Sequence, residues 1–216
     1  MKKKAFVICL LVFFFCQPNE LFSQTFNADL TAGINWSHVS QLGDGLNRSG
    51  FVYELGLSFY PENKKTVWKL GMLYRESGWA ESFQLIPEKE KKGLSIQWIE
   101  LPFTISFLDW ADVHKNEKDF HRIQYSFGIS PARLLSLKLL DYHPSPSVNK
   151  EEIEQAFRRY NLNWLIKTSV FFHPNWSINL QFSRSVFELI NSENAKTLNL
   201  RGLRQSLLTA SFSFHL

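Results

Sequence analysis

The chain has 216 residues, with 24 lysines and arginines against 20 aspartates and glutamates and a formal net charge of +4. Two of those four charges sit in the first 23 residues, which carry Lys2, Lys3, Lys4 and Glu20, so the rest is only mildly basic and gives no electrostatic case for nucleic-acid binding. Both cysteines, Cys9 and Cys16, also fall in that leading stretch, which excludes a disulfide framework in residues 24–216 and with it a small stapled domain.

The leader reads Met1-Lys2-Lys3-Lys4, then an apolar run from Ala5 to Cys16. A basic start before a short apolar core is the pattern of a secretory signal. The run is too short to cross a bilayer, which takes about 20 apolar residues. Cleavage after Ser23 is expected, leaving residues 24–216 as one domain. Lipidation at Cys16 is disfavoured, because Phe14 and Phe15 stand where small residues are required. No other segment approaches the apolar length of a membrane helix. A membrane protein without such helices must be a closed barrel, since nothing else satisfies its backbone in lipid.

The remainder alternates apolar and polar residues in stretches of roughly ten, the period of strands with two unlike faces. The first strand sets Phe26, Ala28, Leu30, Ala32, Ile34 and Trp36 against Asn27, Asp29, Thr31, Gly33 and Asn35. The second sets Phe51, Tyr53, Leu55, Leu57 and Phe59 against Glu54, Gly56 and Ser58. After the turn Pro61-Glu62-Asn63-Lys64-Lys65, the third sets Trp68, Leu70, Met72 and Tyr74 against Lys69, Gly71 and Arg75. The fourth sets Ile99, Leu101, Phe103, Ile105 and Phe107 against Glu100, Thr104 and Ser106. A charged connection from Leu108 to Phe120 follows.

The fifth strand sets Ile123, Tyr125, Phe127 and Ile129 against Arg122, Gln124, Ser126 and Gly128. Residues 150–159 place Ile153, Ala156 and Phe157 at helical spacing, which predicts a short amphipathic helix in an outer loop. The sixth sets Tyr160, Leu162, Trp164, Ile166, Thr168, Val170 and Phe172 against Asn161, Asn163, Lys167 and Ser169. His173-Pro174-Asn175 is a tight turn. The seventh sets Trp176, Ile178, Leu180 and Phe182 against Ser177, Asn179, Gln181 and Ser183. The last sets Leu208, Ala210, Phe212, Phe214 and Leu216 against Thr209, Ser211, Ser213 and His215.

An even strand number, with short and long connections alternating, predicts an all-β, antiparallel up-and-down transmembrane β-barrel of about eight strands, with both termini on the periplasmic side. A soluble barrel binding an apolar ligand would turn the same pattern inside out. The polar face decides between them. Glu54, Lys69, Arg75, Glu100, Arg122, Lys167 and Arg184 share it with Gly33, Gly56, Gly71 and Gly128. Small residues and mutually pairing charges suit a narrow lumen. Trp36, Tyr53, Trp68, Tyr74, Tyr125, Tyr160, Trp164 and Trp176 on the other face suit the aromatic girdles of a membrane interface. Glu54 and Glu100 are each expected beside an interior Lys or Arg.

Trp98-Ile99-Glu100-Leu101-Pro102-Phe103-Thr104-Ile105 resembles a recurring feature of PorT-like outer-membrane β-barrel domains. There an aromatic or apolar pair precedes Glu-(Ile/Leu)-Pro, so Trp98, Glu100, Leu101 and Pro102 carry the likeness. Tyr125 to Pro131 looks like the following strand, its proline opening an outer loop, and Leu208 to Leu216 looks like the closing one. The resemblance implies an integral outer-membrane barrel. One branch of that family is linked to protein secretion across the outer membrane and to gliding-related machinery.

No phosphate-binding glycine loop and no His/Cys metal cluster occurs, and no cofactor is expected. His38 and Ser40 are the one pair that a barrel lipid hydrolase would place at membrane level, but they lack a third orienting group in sequence. Trp79, Phe83, Leu85 and Ile86, beside the charge run Glu88-Lys89-Glu90-Lys91-Lys92, form a candidate partner-binding loop. The expected activity is therefore non-enzymatic: an envelope barrel in contact with outer-membrane lipid, docking other envelope or secretion proteins through its loops.

Overall fold

The computed structural model describes residues 25–40, 48–61, 65–80, 93–112, 120–140, 155–190 and 202–216. These form β1 (Thr25–Val39), β2 (Arg48–Tyr60), β3 (Thr66–Ala80), β4 (Gly93–Glu100), β5 (Phe103–Asp112), β6 (Phe120–Leu140), β7 (Tyr160–His173), β8 (Trp176–Ser185) and β9 (Gln205–His215). Every pairing is antiparallel, and β9 closes the sheet against β1. β4 and β5 are two halves of one stave. Both pair with β3 and β6, and the register carries across the break from Glu100 to Phe103, Leu73 facing Glu100 and Leu70 facing Phe103 on one side, Ala132 facing Glu100 and Ile129 facing Phe103 on the other. The barrel is a closed eight-stave one.

The interruption between β4 and β5 has a chemical cause. Pro102 accepts a bond from Gly71 N–H at 2.8 Å but has no N–H to return. Next to it, Leu101 N–H bonds Pro131 C=O at 2.9 Å, and Pro131 cannot return that bond either. Two rungs are lost side by side, yet the ladder holds. Pro131 therefore does not open a loop as the sequence suggests. It lies inside β6, facing Leu162 of β7, and β6 continues to Leu140. The connection after β5 is likewise shorter than expected, because strand extends to Asp112 and resumes at Phe120.

The side chains sort as a membrane barrel requires. Leu55, Phe103 and Phe182 are 53%, 39% and 38% exposed on the outer wall, while Arg75 and Glu100 are 0% and 1% exposed inside. The soluble, ligand-binding alternative needs the reverse and is set aside on this ground. Along β1 the outward set from Phe26 to Trp36 spans ten residues, about 33 Å of strand. Tilted by ~40°, that gives a band roughly 25 Å tall, the height of an outer-membrane apolar belt. Outward-facing Trp68, Trp110, Tyr125, Tyr160 and Trp164 ring it. No described helix is long and apolar enough to cross a membrane. Strands do the crossing.

One end gathers Leu216, whose N–H bonds Ala28 C=O, and the tight His173–Trp176 turn. At the other end the barrel continues past the apolar belt and its sidedness inverts. Ile96 and Trp98 turn inward there with Val39, Leu94, Ala132, Ala156, Phe157, Leu189, Ile190 and Leu203 to make an apolar core, while Ser95 and Gln97 lie outward. Phe157 bridges Ile190, so the segments before β7 and after β8 fold into the mouth. Residues 150–154 of the predicted helix, 150–159, lie outside the described residues; of 155–159, Gln155 and Ala156 alone have helical backbone.

Candidate functional site

Among the described residues, two groups of charged side chains stand out in the lumen. Lys69 Nζ, on β3, contacts Asp29 Oδ1 at 2.5 Å and Glu54 Oε1 at 2.7 Å. Ser58 Oγ donates to the other Asp29 oxygen at 3.3 Å. Lys167 approaches the same group from β7, within electrostatic range of Asp29, Glu54 and Lys69. Nearer the long-loop end, Arg75 Nε stands 3.6 Å from Glu100 Oε1. Arg75 Nη1 donates to Ser183 Oγ at 2.9 Å, and Ser130 Oγ donates to Glu100 Oε2 at 2.8 Å. At 3.6 Å the Arg75–Glu100 contact is an ion pair without a hydrogen bond.

Register explains how β1 and β3 reach each other across β2. Asp29 faces Gly56, and Gly56 faces Gly71. A methyl built on Gly56 would collide with Lys69 Cε and the Asp29 carboxylate. On Gly71 it would meet Glu54 Oε1 at 2.8 Å. The lumen-facing glycines are thus the space in which the charges lie. Gly56→Val should destabilise the barrel by about 1–3 kcal/mol through overpacking, measured as a shift of the urea unfolding midpoint in detergent micelles.

Of the seven charges expected inside, Glu54, Lys69, Arg75, Glu100 and Lys167 are buried. Arg122 is half-buried on β6 at the short-turn end. Arg184 is a correction: it is exposed on the outer wall, at the same parity as Phe182 and facing Trp164 across the ladder. A rim position lets its guanidinium reach water or headgroups, so it needs no lumen. Asp29 and Arg48 are buried charges that the sequence reading left out of this set. Asp29 stands on the polar face of its strand, but its partner lies two strands away, and only the register over Gly56 reveals the pair. Arg48 Nη2 donates to Ser95 Oγ at 3.1 Å.

In the motif, Trp98 and Glu100 are buried, Pro102 is buried beside them, and Leu101 faces outward. Trp79 is not in a loop. It lies on β3 and packs against the apolar core at the mouth. Phe83, Leu85 and Ile86 lie outside the described residues. Ser40 is structurally committed: its Oγ donates to Gly202 C=O at 2.9 Å and accepts from Arg204 N–H at 2.8 Å. Among the described residues, no group of His, Cys, Asp and Glu is placed to hold a metal ion.

These observations define a closed transmembrane antiparallel β-barrel of eight staves, with an ionic lumen and an apolar cap. No protein-family model and no curated protein sequence matches the chain. Among solved structures it is similar to Ail, the attachment invasion locus protein of Yersinia pestis, with a TM-score of 0.46 and 11% identity over 88% of this chain and 98% of that one. The outer membrane enzyme PagL gives a TM-score of 0.40 and 14% identity over 86% of this chain and 98% of that one. A de novo designed transmembrane β-barrel gives 0.40 and 5% identity, covering 88% and 95%.

Proposed function

We propose that this chain is an exported, non-enzymatic, integral barrel of a Gram-negative outer membrane, serving as a structural or docking component of the envelope. The observation that carries the reading is the sidedness: an apolar belt outside and paired charges within. Residues 1–23 act as the export signal and are removed. The lumen is filled by side chains, which supports a role for the outer loops, Phe83, Leu85 and Ile86 among them, over a role in transport. The Trp98-Ile99-Glu100-Leu101-Pro102 resemblance supports a link to protein secretion as in PorT-like proteins. A hydrolase reading finds no support in Ser40, whose hydroxyl already serves two backbone groups.

Expression of the full chain in a Gram-negative host should place it in the outer-membrane fraction. Unheated samples should migrate differently from boiled ones in detergent gels, as closed barrels do. Recovery in the soluble periplasm, with no heat-dependent shift, would overturn the assignment.

A further inference from the structure

Outside the lumen the polar side chains are not evenly spread. Arg133 on β6, Arg159 just before β7, Arg184 on β8 and Arg204 just before β9 are all exposed at the long-loop end. Arg133 is the next outward position on β6 after the exposed Ile129 and Pro131, so its guanidinium stands where the apolar belt ends. Among the described residues, none of the four makes an ion pair.

Two of them share a concavity of about 710 Å³, with Gln155, Ser136, Leu135 and Tyr160 among its walls. Its origin is local. The β4–β6 register slips between Gln97 and Trp98, leaving Leu135 as the extra, outward residue of a bulge. Bulges bend a strand and re-aim its side chains. β7 begins at Tyr160, opposite Arg133, so beyond that point β6 loses its ladder partner on this side and the 155–159 segment borders it instead. Leu134 N–H to Arg159 C=O, at 2.8 Å, ties the two walls together.

Two guanidinium groups, an amide, a hydroxyl, an aromatic ring and an exposed leucine make an amphiphilic set. Arginine forks match phosphate oxygens in pairs. The volume lies in the range of small-molecule sites, larger than a bare anion needs. Below it, toward the bilayer, Trp164 and Ile166 continue an apolar wall.

We propose that this pocket binds the phosphate-bearing headgroup of an outer-leaflet lipid. Arg133 and Arg159 take the phosphate, Gln155 and Ser136 offer bonds to neighbouring hydroxyls, and Tyr160 and Leu135 lie against the headgroup carbons. Arg184, on β8, and Arg204, at the entry to β9, extend the same basic rim for adjacent lipids. The inference rests on the outer-membrane reading above, since it needs the long-loop end to face the outer leaflet.

The test uses the full-length mature protein refolded into phosphatidylcholine nanodiscs, with either diphosphorylated lipid A or its dephosphorylated form added. Lipid retained on the protein is counted by native mass spectrometry. Wild type should retain the diphosphorylated lipid about tenfold or more over the dephosphorylated one, and R133Q/R159Q should lose that preference. K65Q, which removes one charge at the opposite rim, should retain lipid as wild type does. A heat-dependent gel shift in the double variant shows that it has folded. Equal retention by R133Q/R159Q and wild type would overturn the proposal. So would displacement of the lipid by millimolar inorganic phosphate, which would mark a free-anion site. Failure of wild type to enter nanodiscs at all would instead overturn the membrane reading beneath it.

Discussion

Lys69→Met should destabilise the folded barrel by about 3–5 kcal/mol, the cost of leaving buried charge unpaired. Lys69 holds both Asp29 and Glu54, and all three are nearly inaccessible to solvent. Losing the ammonium leaves two carboxylates on either side of the vacated position, with Lys167, and Arg75 for Glu54, as the positive charges still in electrostatic range. The triple variant D29N/E54Q/K69M removes the charges together, and most of the loss should return, because a neutral set costs far less than a broken pair. Equilibrium urea unfolding in detergent micelles, read by tryptophan fluorescence, measures both. A loss below about 1 kcal/mol for Lys69→Met would mean that the ion cluster sits in water.

Leu55→Arg should cost about 2–4 kcal/mol when the barrel unfolds from phospholipid vesicles. Leu55 lies midway between Phe51 and Phe59 along the outward face of β2, at the centre of the belt. It is more than half exposed, so in an aqueous protein the same replacement would change stability by about 0.5 kcal/mol or less. The contrast separates lipid from water at this surface. Leu55→Ala controls for lost contacts and should cost clearly less. An arginine tolerated as well as alanine would refute the membrane-facing assignment.

Much of this fold could be read from alternation alone. In β2 the sequence Tyr-Glu-Leu-Gly-Leu puts every second residue in lipid, and one slipped residue would bury the leucines with the charges, so register and sidedness are specified together. The same logic failed where the environment changed along a strand. Beyond the belt the outer wall meets water, so Ile96 and Trp98 turn inward and Gln97 outward. A reading keyed to apolar-outward residues therefore ended β3 and β6 too early. Arg184 was misplaced because its charge was given more weight than its parity with Phe182. Pro131 reads as a loop signal in isolation, yet β7 supplies bonds on one side and the missing rung falls on the other. The Asp29–Lys69 contact was illegible because it depends on two glycines aligned across three strands. The arginine pocket depends on a single-residue bulge that no periodicity announces.

The stacking of layers inside this barrel also fixes its electrical character. Among the described residues, a solute entering from the long-loop end meets packed hydrocarbon from Phe157, Leu189 and Ile190, and beneath it charged side chains held in salt bridges. Oil repels ions, and charges already held by salt-bridge partners attract a migrating ion only weakly. The described lumen is therefore an insulator plugged with its own side chains, which favours the rim over the axis as the working part of the barrel proposed above.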